Sequence, residues 1–375
     1  ESSAASDVYK RQGKYHFIII GSGWRSLYYV RIAKAMPDIL RLDAMYCRTQ
    51  EKADKMAEEF SIHTTTSIEE CVGYKPDFAV VAVNKTSICD VSIEWMDRGI
   101  TVLSETPAAL DMDSLKKLYR YHMSDDKTDK KQVVAEQYRE YPYNKARINL
   151  VNSGVLGDIS CLNISIAHEY HGFSLIRAYL GIKPDENYTV SGKIYEFPTT
   201  QTLTRYDKFT DGRTAPKKRC VAVFEFESGK VAWYDFDSEQ YRSPIRKNMI
   251  KVQGVRGELI NNELYYLDDK NEGQYQKIVT DVNATHTKDT NPNLSIVREI
   301  EKIMCGENVL YEPELGMRGL SEDETAIAGL MIGTAKYSRG EAESPYSMED
   351  AFADAYAAIS VSYTHLRAHE TELHL

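Results

Sequence analysis

The chain has 375 residues, 42% of them hydrophobic and 27% charged, with a formal net charge of −10. That is the profile of an ordinary soluble globular protein, long enough for two domains with buried cores. The acidic balance argues against nucleic acid or an anionic membrane as the main partner, and no apolar stretch approaches the length of a membrane span.

Residues 1–14 lack the apolar core of a secretory signal. Six cysteines (47, 71, 89, 161, 220 and 305) lie scattered with no C-x-x-C, as expected of reduced thiols in a cytoplasmic protein. Residues 1–12 and 362–375 resemble translated library-adapter sequence, so the authentic protein is expected to span 13–361. His365, His369, Glu370 and His374 have a metal-ligand spacing but fall in that tail. No metal site is assigned there.

The first element is a strand, Tyr15–Ile20, running directly into Gly21-Ser22-Gly23-Trp24-Arg25-Ser26 and a helix over Leu27–Met36 stopped by Pro37. Gly21 permits a tight turn, Gly23 lets backbone approach a pyrophosphate, and the helix start directs free N–H groups at the phosphates. Ser26 stands where the usual fingerprint has its third glycine. The strand before and the helix after supply the context for dinucleotide binding.

Strands and helices then alternate. Leu40–Cys47 reads as a strand and Gln50–Phe60 as a helix. Asp77–Val83 is the continuous apolar run of a central parallel strand, followed by a helix over Ser87–Arg98 and a strand over Ile100–Leu103. Asp111 or Asp113 caps the next helix, 124–131 is a polar loop, and Gln132–Ala135 closes a doubly wound parallel sheet. Beyond about residue 155 the strands become alternating: Ile159–Ala167, Val221–Phe226, Lys230–Phe236, Met249–Val252, Glu258–Asn262 and Glu263–Leu267. Ser228-Gly229-Lys230 signals a hairpin. Leu294–Met304 and Glu322–Tyr337 read as helices. The expected fold class is α/β plus α+β. Residues 13–137 form a Rossmann dinucleotide-binding domain, and residues 138–361 an open, mostly antiparallel sheet domain for substrate and dimerisation.

The second strand ends in Tyr46-Cys47-Arg48-Thr49, with no carboxylate before Glu51. A guanidinium and a hydroxyl there suit a 2′-phosphate, favouring NADP over NAD. Asn84 follows the central strand. The neighbouring Lys85 is either a solvated loop lysine or a stand-in cation.

The Gly-x-Gly-x-Arg turn, the run from Asp77 through Gly99 to Glu105-Thr106-Pro107, Ser153-Gly154-x-x-Gly157-Asp158-Ile159 and Gln253-Gly254-x-x-Gly257-Glu258-Leu259 together resemble the Gfo/Idh/MocA oxidoreductases. The resemblance covers residues 14–340, and it implies that Asn84, where the family tends to place Pro-Asn, contacts the ribose or nicotinamide of the cofactor. It implies a Rossmann domain followed by an α+β domain whose sheet often forms a homo-oligomer face. It also implies hydride transfer to or from a sugar, polyol or related carbonyl compound. The family's Glu-Lys-Pro lysine is Thr106 here, while Glu105 and Pro107 fit. Glu105 is assigned to both the cofactor and the reacting groups. The family histidine ten residues before Leu-Gly matches His171 ahead of Leu180-Gly181, and the aspartate usual three residues later is Ser174.

Thr106 can hydrogen-bond an oxygen but does not titrate near neutrality, so His171 is the expected acid–base group. His168 and Tyr170 are candidate substrate contacts, with Glu169 beside them. Glu136 and Tyr138, leaving the last Rossmann strand, face substrate hydroxyls or build the domain junction. Two other functions stay open: an NAD-retaining glycoside hydrolase of the same superfamily, and a nucleotide-binding sensor without catalysis.

Overall fold

The computed structural model describes residues 13–124, 131–204, 207–286 and 296–364. The adapter-like tails, the histidine-rich segment after 364 and most of the polar loop fall outside them. The chain divides into two compact units that interleave along the sequence. One holds the chain up to Pro142 with Asp281–Glu301 and Glu312–Phe352; the other holds Tyr143–Thr280, Lys302–Tyr311 and the chain from Ala353.

In the first unit, β1 (Tyr15–Ile20), β2 (Leu40–Tyr46), β3 (Thr64–Thr65), β4 (Phe78–Val81), β5 (Thr101–Ser104) and β6 (Gln132–Val134) form a parallel sheet in the order β3-β2-β1-β4-β5-β6. This is the doubly wound order with its switch point between β1 and β4. Phe78–Val81 is buried on both faces, as its unbroken apolar run requires, and the Phe17 and Phe78 rings stack 5.3 Å apart across the strands.

The helices are α1 (Ser26–Ala35), α2 (Gln50–Phe60), α3 (Ile68–Gly73), α4 (Ile88–Met96) and α5 (Met112–Met123). Asp111, not Asp113, caps α5, and Ser114 returns the bond in a capping box. The chain continues through α6 (Pro142–Asn152), α7 (Glu169–Leu180), α8 (Glu322–Arg339) and α9 (Met348–Thr364). Helix α8 belongs to the first unit, where it packs against α1, β1, β4 and β5.

The remaining strands are β7 (Ile159–Ser165), β8 (Tyr188–Thr200), β9 (Thr214–Phe226), β10 (Val231–Asp237), β11 (Met249–Gly254), β12 (Gly257–Ile260), β13 (Glu263–Leu267), β14 (Gly273–His286), β15 (Ile296–Cys305) and β16 (Asn308–Tyr311). They form a ten-stranded sheet in the order β16-β15-β14-β13-β12-β11-β7-β10-β9-β8. Only the β7–β10 pair among the paired strands with a recorded register is parallel. The Ser228-Gly229-Lys230 hairpin is present, with Gly229 N–H donating to Phe226 O at 2.8 Å.

One expected element is corrected. Of the expected helix Leu294–Met304, the described part is not helical; Ile296–Cys305 is a strand paired with β16. Two charged pairs, Arg298-Glu299 and Glu301-Lys302, spaced three apart between isoleucines, imitate a helical polar stripe. The Glu299 carboxylate is nevertheless buried, with Oε1 accepting from the backbone N–H of Arg318 at 2.9 Å and of Leu320 at 3.1 Å. Strand pairing and this carboxylate override the periodicity.

Candidate functional site

Within the first unit, β1 ends at Ile20 and the chain turns at Gly21, whose φ of +111° lies in the region L side chains avoid. Its N–H donates to Tyr46 O at 3.3 Å, and a Cβ there would overlap the Ala82 carbonyl. At Gly23 an added Cβ would meet nothing within 4 Å, so the space before the turn is open. Helix α1 has no side-chain cap and no acidic residue in its first turn. Its first N–H groups, of Ser26, Leu27 and Tyr28, donate to the Gly23, Trp24 and Arg25 carbonyls, and the positive end of the helix dipole is left without a carboxylate of its own first turn. Ser26, at the third-glycine position, is fully buried, and its hydroxyl has no partner among the described residues. Trp24 is 47% exposed at the same turn, edge-on to Tyr28.

Arg25 turns inward. Its Nε donates to Glu105 Oε1 at 2.7 Å and its Nη1 to Asp323 Oδ2, in the first turn of α8, at 2.8 Å. Tyr29 Oη donates to the same Glu105 oxygen at 2.6 Å, and Tyr141 Oη to Asp323 Oδ1 at 2.8 Å. Oriented to satisfy both its ends, the Gln137 amide accepts from Arg25 Nη2 at 3.0 Å and donates to Ala135 O at 2.6 Å. Burial alone would lower the Arg25 pKa, but the Glu105 and Asp323 carboxylates outweigh it and hold the guanidinium charged. Burial, reinforced by Glu105, pushes the Tyr29 phenol well up, and burial with Asp323 does the same to Tyr141. Both phenols therefore act as fixed donors rather than as bases near neutral pH.

Two sequence-assigned residues, Arg25 and Glu105, thus meet in one ion pair. It ties the glycine turn to the carboxyl end of β5, where Glu105 N–H also donates to Val81 O at 3.0 Å. Thr106 follows, joined to Pro107 by a cis peptide bond. Arg48 and Thr49 open α2: the Thr49 hydroxyl accepts from Lys52 N–H at 3.4 Å as its cap, and Arg48 is exposed with no side-chain partner among the described residues. Asn84 is exposed, its Oδ1 accepting from the Thr86 amide and hydroxyl, both at 3.1 Å. Lys85 is exposed beside it. Glu136 is only 1% exposed, with Oε1 accepting from Tyr138 N–H at 3.2 Å, and the Tyr138 ring lies 4.8 Å from that of Tyr141.

The second unit holds the other set. His168 precedes α7, Glu169 and Tyr170 open it, and His171 lies 4% exposed on its first turn. Tyr170 is buried and Glu169 exposed. The His168 and His171 rings stand 4.8 Å apart at 90°, and Tyr170 is edge-on to His171 at 5.7 Å. Ser174, in place of the family aspartate, is fully buried.

Sequence reasoning missed Tyr29, Tyr141, Asp323 and Tyr241. Ser321-x-x-Glu324 does announce the start of α8, with Asp323 in its first turn. Nothing local links that aspartate to an arginine 298 residues earlier. Tyr241 lies on the 3₁₀ turn Ser238–Tyr241, which carried no motif. Among the described residues no group of three or more His, Cys, Asp or Glu forms a metal cluster, and no helix is long and apolar enough to cross a membrane.

Residues 15–128 match the family model GFO_IDH_MocA, described as an oxidoreductase family with an NAD-binding Rossmann fold. No curated protein matches the chain. Among solved structures, an oxidoreductase domain protein from Kribbella flavida is 13% identical, covering 95% of this chain and 98% of its own, with a TM-score of 0.67. A levoglucosan dehydrogenase, solved with NADH and levoglucosan, is 13% identical over 94% of this chain and 97% of its own, with a TM-score of 0.64. An oxidoreductase from Agrobacterium radiobacter, solved with NAD+, L-tartaric acid and magnesium, is 13% identical over 95% and 97%, also at 0.64. At these identities the likeness is one of fold.

Proposed function

We propose that this chain, whose residues 15–128 belong to the Gfo/Idh/MocA oxidoreductases, moves hydride between NADP and a sugar, polyol or related carbonyl compound. The observation that carries the reading is the open turn Gly21–Gly23 before an uncapped helix, braced from behind by the Arg25–Glu105 pair. Such a cradle fits a dinucleotide pyrophosphate. Ser22, Gly23 and Trp24 would border it, Asn84 and Glu105 would face its nicotinamide end, and Arg48 would hold a 2′-phosphate, since its guanidinium has no other side-chain partner among the described residues. The bound nucleotide would supply the hydride acceptor or donor.

The chain's own residues handle oxygen and proton. His171 takes the hydroxyl proton on oxidation and returns it on reduction, and Thr106, in place of the family lysine, supplies a hydroxyl that hydrogen-bonds without titrating. His168, Tyr170, Glu136 and Tyr138 are the substrate contacts in this reading. Small ligands of polyhydroxy type in two fold relatives, levoglucosan and L-tartaric acid, favour that substrate class. Trp233, Tyr265 and Tyr275 are exposed on strands whose alternate residues, Ala232, Tyr234 and Leu264, are buried, which supports homo-oligomer formation through the second sheet.

The test is mass analysis of nucleotide retained by the purified protein, followed by NADP- and NAD-coupled assays across sugars and polyols. Stoichiometric cofactor turnover is expected. Turnover of a nitrophenyl glycoside without net nicotinamide absorbance change would replace this reading with the NAD-retaining hydrolase, and nucleotide binding without either activity with the sensor.

A further inference from the structure

Tyr241 ends the 3₁₀ turn Ser238–Tyr241, and the turn is fastened to the strand that leads to His168. Asp237 and Gln240 form its capping box. Gln240 also accepts from the Ser165 hydroxyl at 3.1 Å and donates to Ser165 O at 3.2 Å. Lys217 pairs with Glu239 at 2.8 Å, and Phe236 holds the Tyr241 ring edge-on at 5.0 Å. The phenol oxygen is thereby delivered to one residue twice: it accepts from the His168 backbone N–H at 3.0 Å and lies 2.5 Å from His168 Nδ1.

We infer that Tyr241 is a positioning residue that fixes the His168 proton on Nε2. The backbone N–H can only donate, so it occupies an acceptor position of the phenol oxygen. An Nδ1–H from the same residue would press a second hydrogen onto that oxygen beside the first. The arrangement that relieves this has Tyr241 donating O–H to Nδ1, which leaves His168 neutral with its N–H at Nε2. A neutral imidazole held in that tautomer offers a fixed donor, and a fixed donor selects an acceptor oxygen, the carbonyl or hydroxyl of a substrate. His171, whose ring is perpendicular at 4.8 Å, then carries the mobile proton while its neighbour holds the oxygen. The catalytic part of this inference rests on the oxidoreductase reading; the tautomer does not.

The test uses the ¹⁵N-labelled full chain, with His168→Asn to assign the signals, and long-range ¹H–¹⁵N correlation of the imidazoles above their titration range. His168 Nδ1 should give a pyridine-type and Nε2 a pyrrole-type shift, and Tyr241→Phe should move both toward the average of mixed tautomers. A pyrrole-type Nδ1 in the wild type, or no change in Tyr241→Phe, overturns the inference whatever the activity. In kinetics, Tyr241→Phe should raise KM about tenfold, the size of one lost hydrogen bond, with kcat within about twofold. In His168→Gln, whose amide keeps a donor near the Nε2 position, adding Tyr241→Phe should change nothing further. A fall in kcat at constant KM would also overturn it. If no substrate turns over while the spectra behave as expected, the oxidoreductase reading fails and the tautomer assignment stands.

Discussion

The two candidate clusters are built on opposite principles. In the first unit, Arg25, Glu105 and Asp323 are charged, interlocked and flanked by phenols whose protons burial retains. In the second, the rings of Tyr170 and His168 meet that of His171 edge-on and the Tyr241 phenol reaches His168. A network of full charges in low dielectric resists rearrangement and is suited to holding a turn in place. Imidazoles near neutrality change charge at little cost and are suited to moving a proton. In the proposed oxidoreductase reading the contrast would divide labour, one unit fixing a ligand and the other doing acid–base work.

The largest expected effect probes the mobile side. His171→Ala should lower turnover by a factor of about 10² to 10⁴ while nucleotide affinity, measured by titration, stays the same. Unchanged turnover would erase the contrast. Next is the locked side: Asp323→Ala strands Arg25 Nη1 and the Tyr141 hydroxyl and should cost about 2–3 kcal/mol in urea unfolding, with weaker nucleotide binding and no change in the pH dependence of turnover. A shifted pH profile in this variant would mean the network titrates after all. Arg48→Ala should weaken NADP about tenfold and leave NAD untouched, because only the former carries a phosphate for it. Equal losses for both would reassign Arg48.

The smallest effect concerns pH and stability. Thr65, His63 and Tyr74 hydrogen-bond the Glu70 carboxylate and hold its pKa down at about 2. A folded-state pKa below the unfolded value contributes stability that is complete above about pH 4.5 and lost as pH falls toward 2. Glu70→Gln should lower stability slightly at neutral pH and converge on the wild type as pH falls toward 2, so that the acid limb of the stability curve flattens in that window.

Legibility in the sequence followed the same division. The parallel sheet was readable because a central strand such as Phe78–Val81 must be apolar on both faces, and Gly21 is required by a backbone angle no other residue adopts easily. Helix α2, Gln50–Phe60, was readable to the residue from its polar outer face. The edge strand Tyr188–Thr200 escaped because its alternating Tyr188, Val190 and Ile194 are only half-buried and the alternation lapses after them, with Thr199 alone along it buried. The Arg25–Asp323 contact escaped because its ends lie 298 residues apart and each alone looks like a surface charge on a helix. Arg25 stood out only as the last residue of the Gly-x-Gly-x-Arg turn, with nothing to show that its guanidinium reaches Glu105 and Asp323. His171 stood out only through its family position, since a buried histidine at the start of a helix carries no local signature.

The reach of Arg25 to α8 also bears on how the molecule comes into being. A ribosome finishes β1 and α1 early, yet the carboxylate that completes the guanidinium's shell emerges some three hundred residues later. Until then the guanidinium has Glu105 and Gln137 as its hydrogen-bond acceptors. A fragment cut at residue 137 would keep all six parallel strands and still lack both Tyr141 and Asp323, leaving a positive charge half-dressed under the bend.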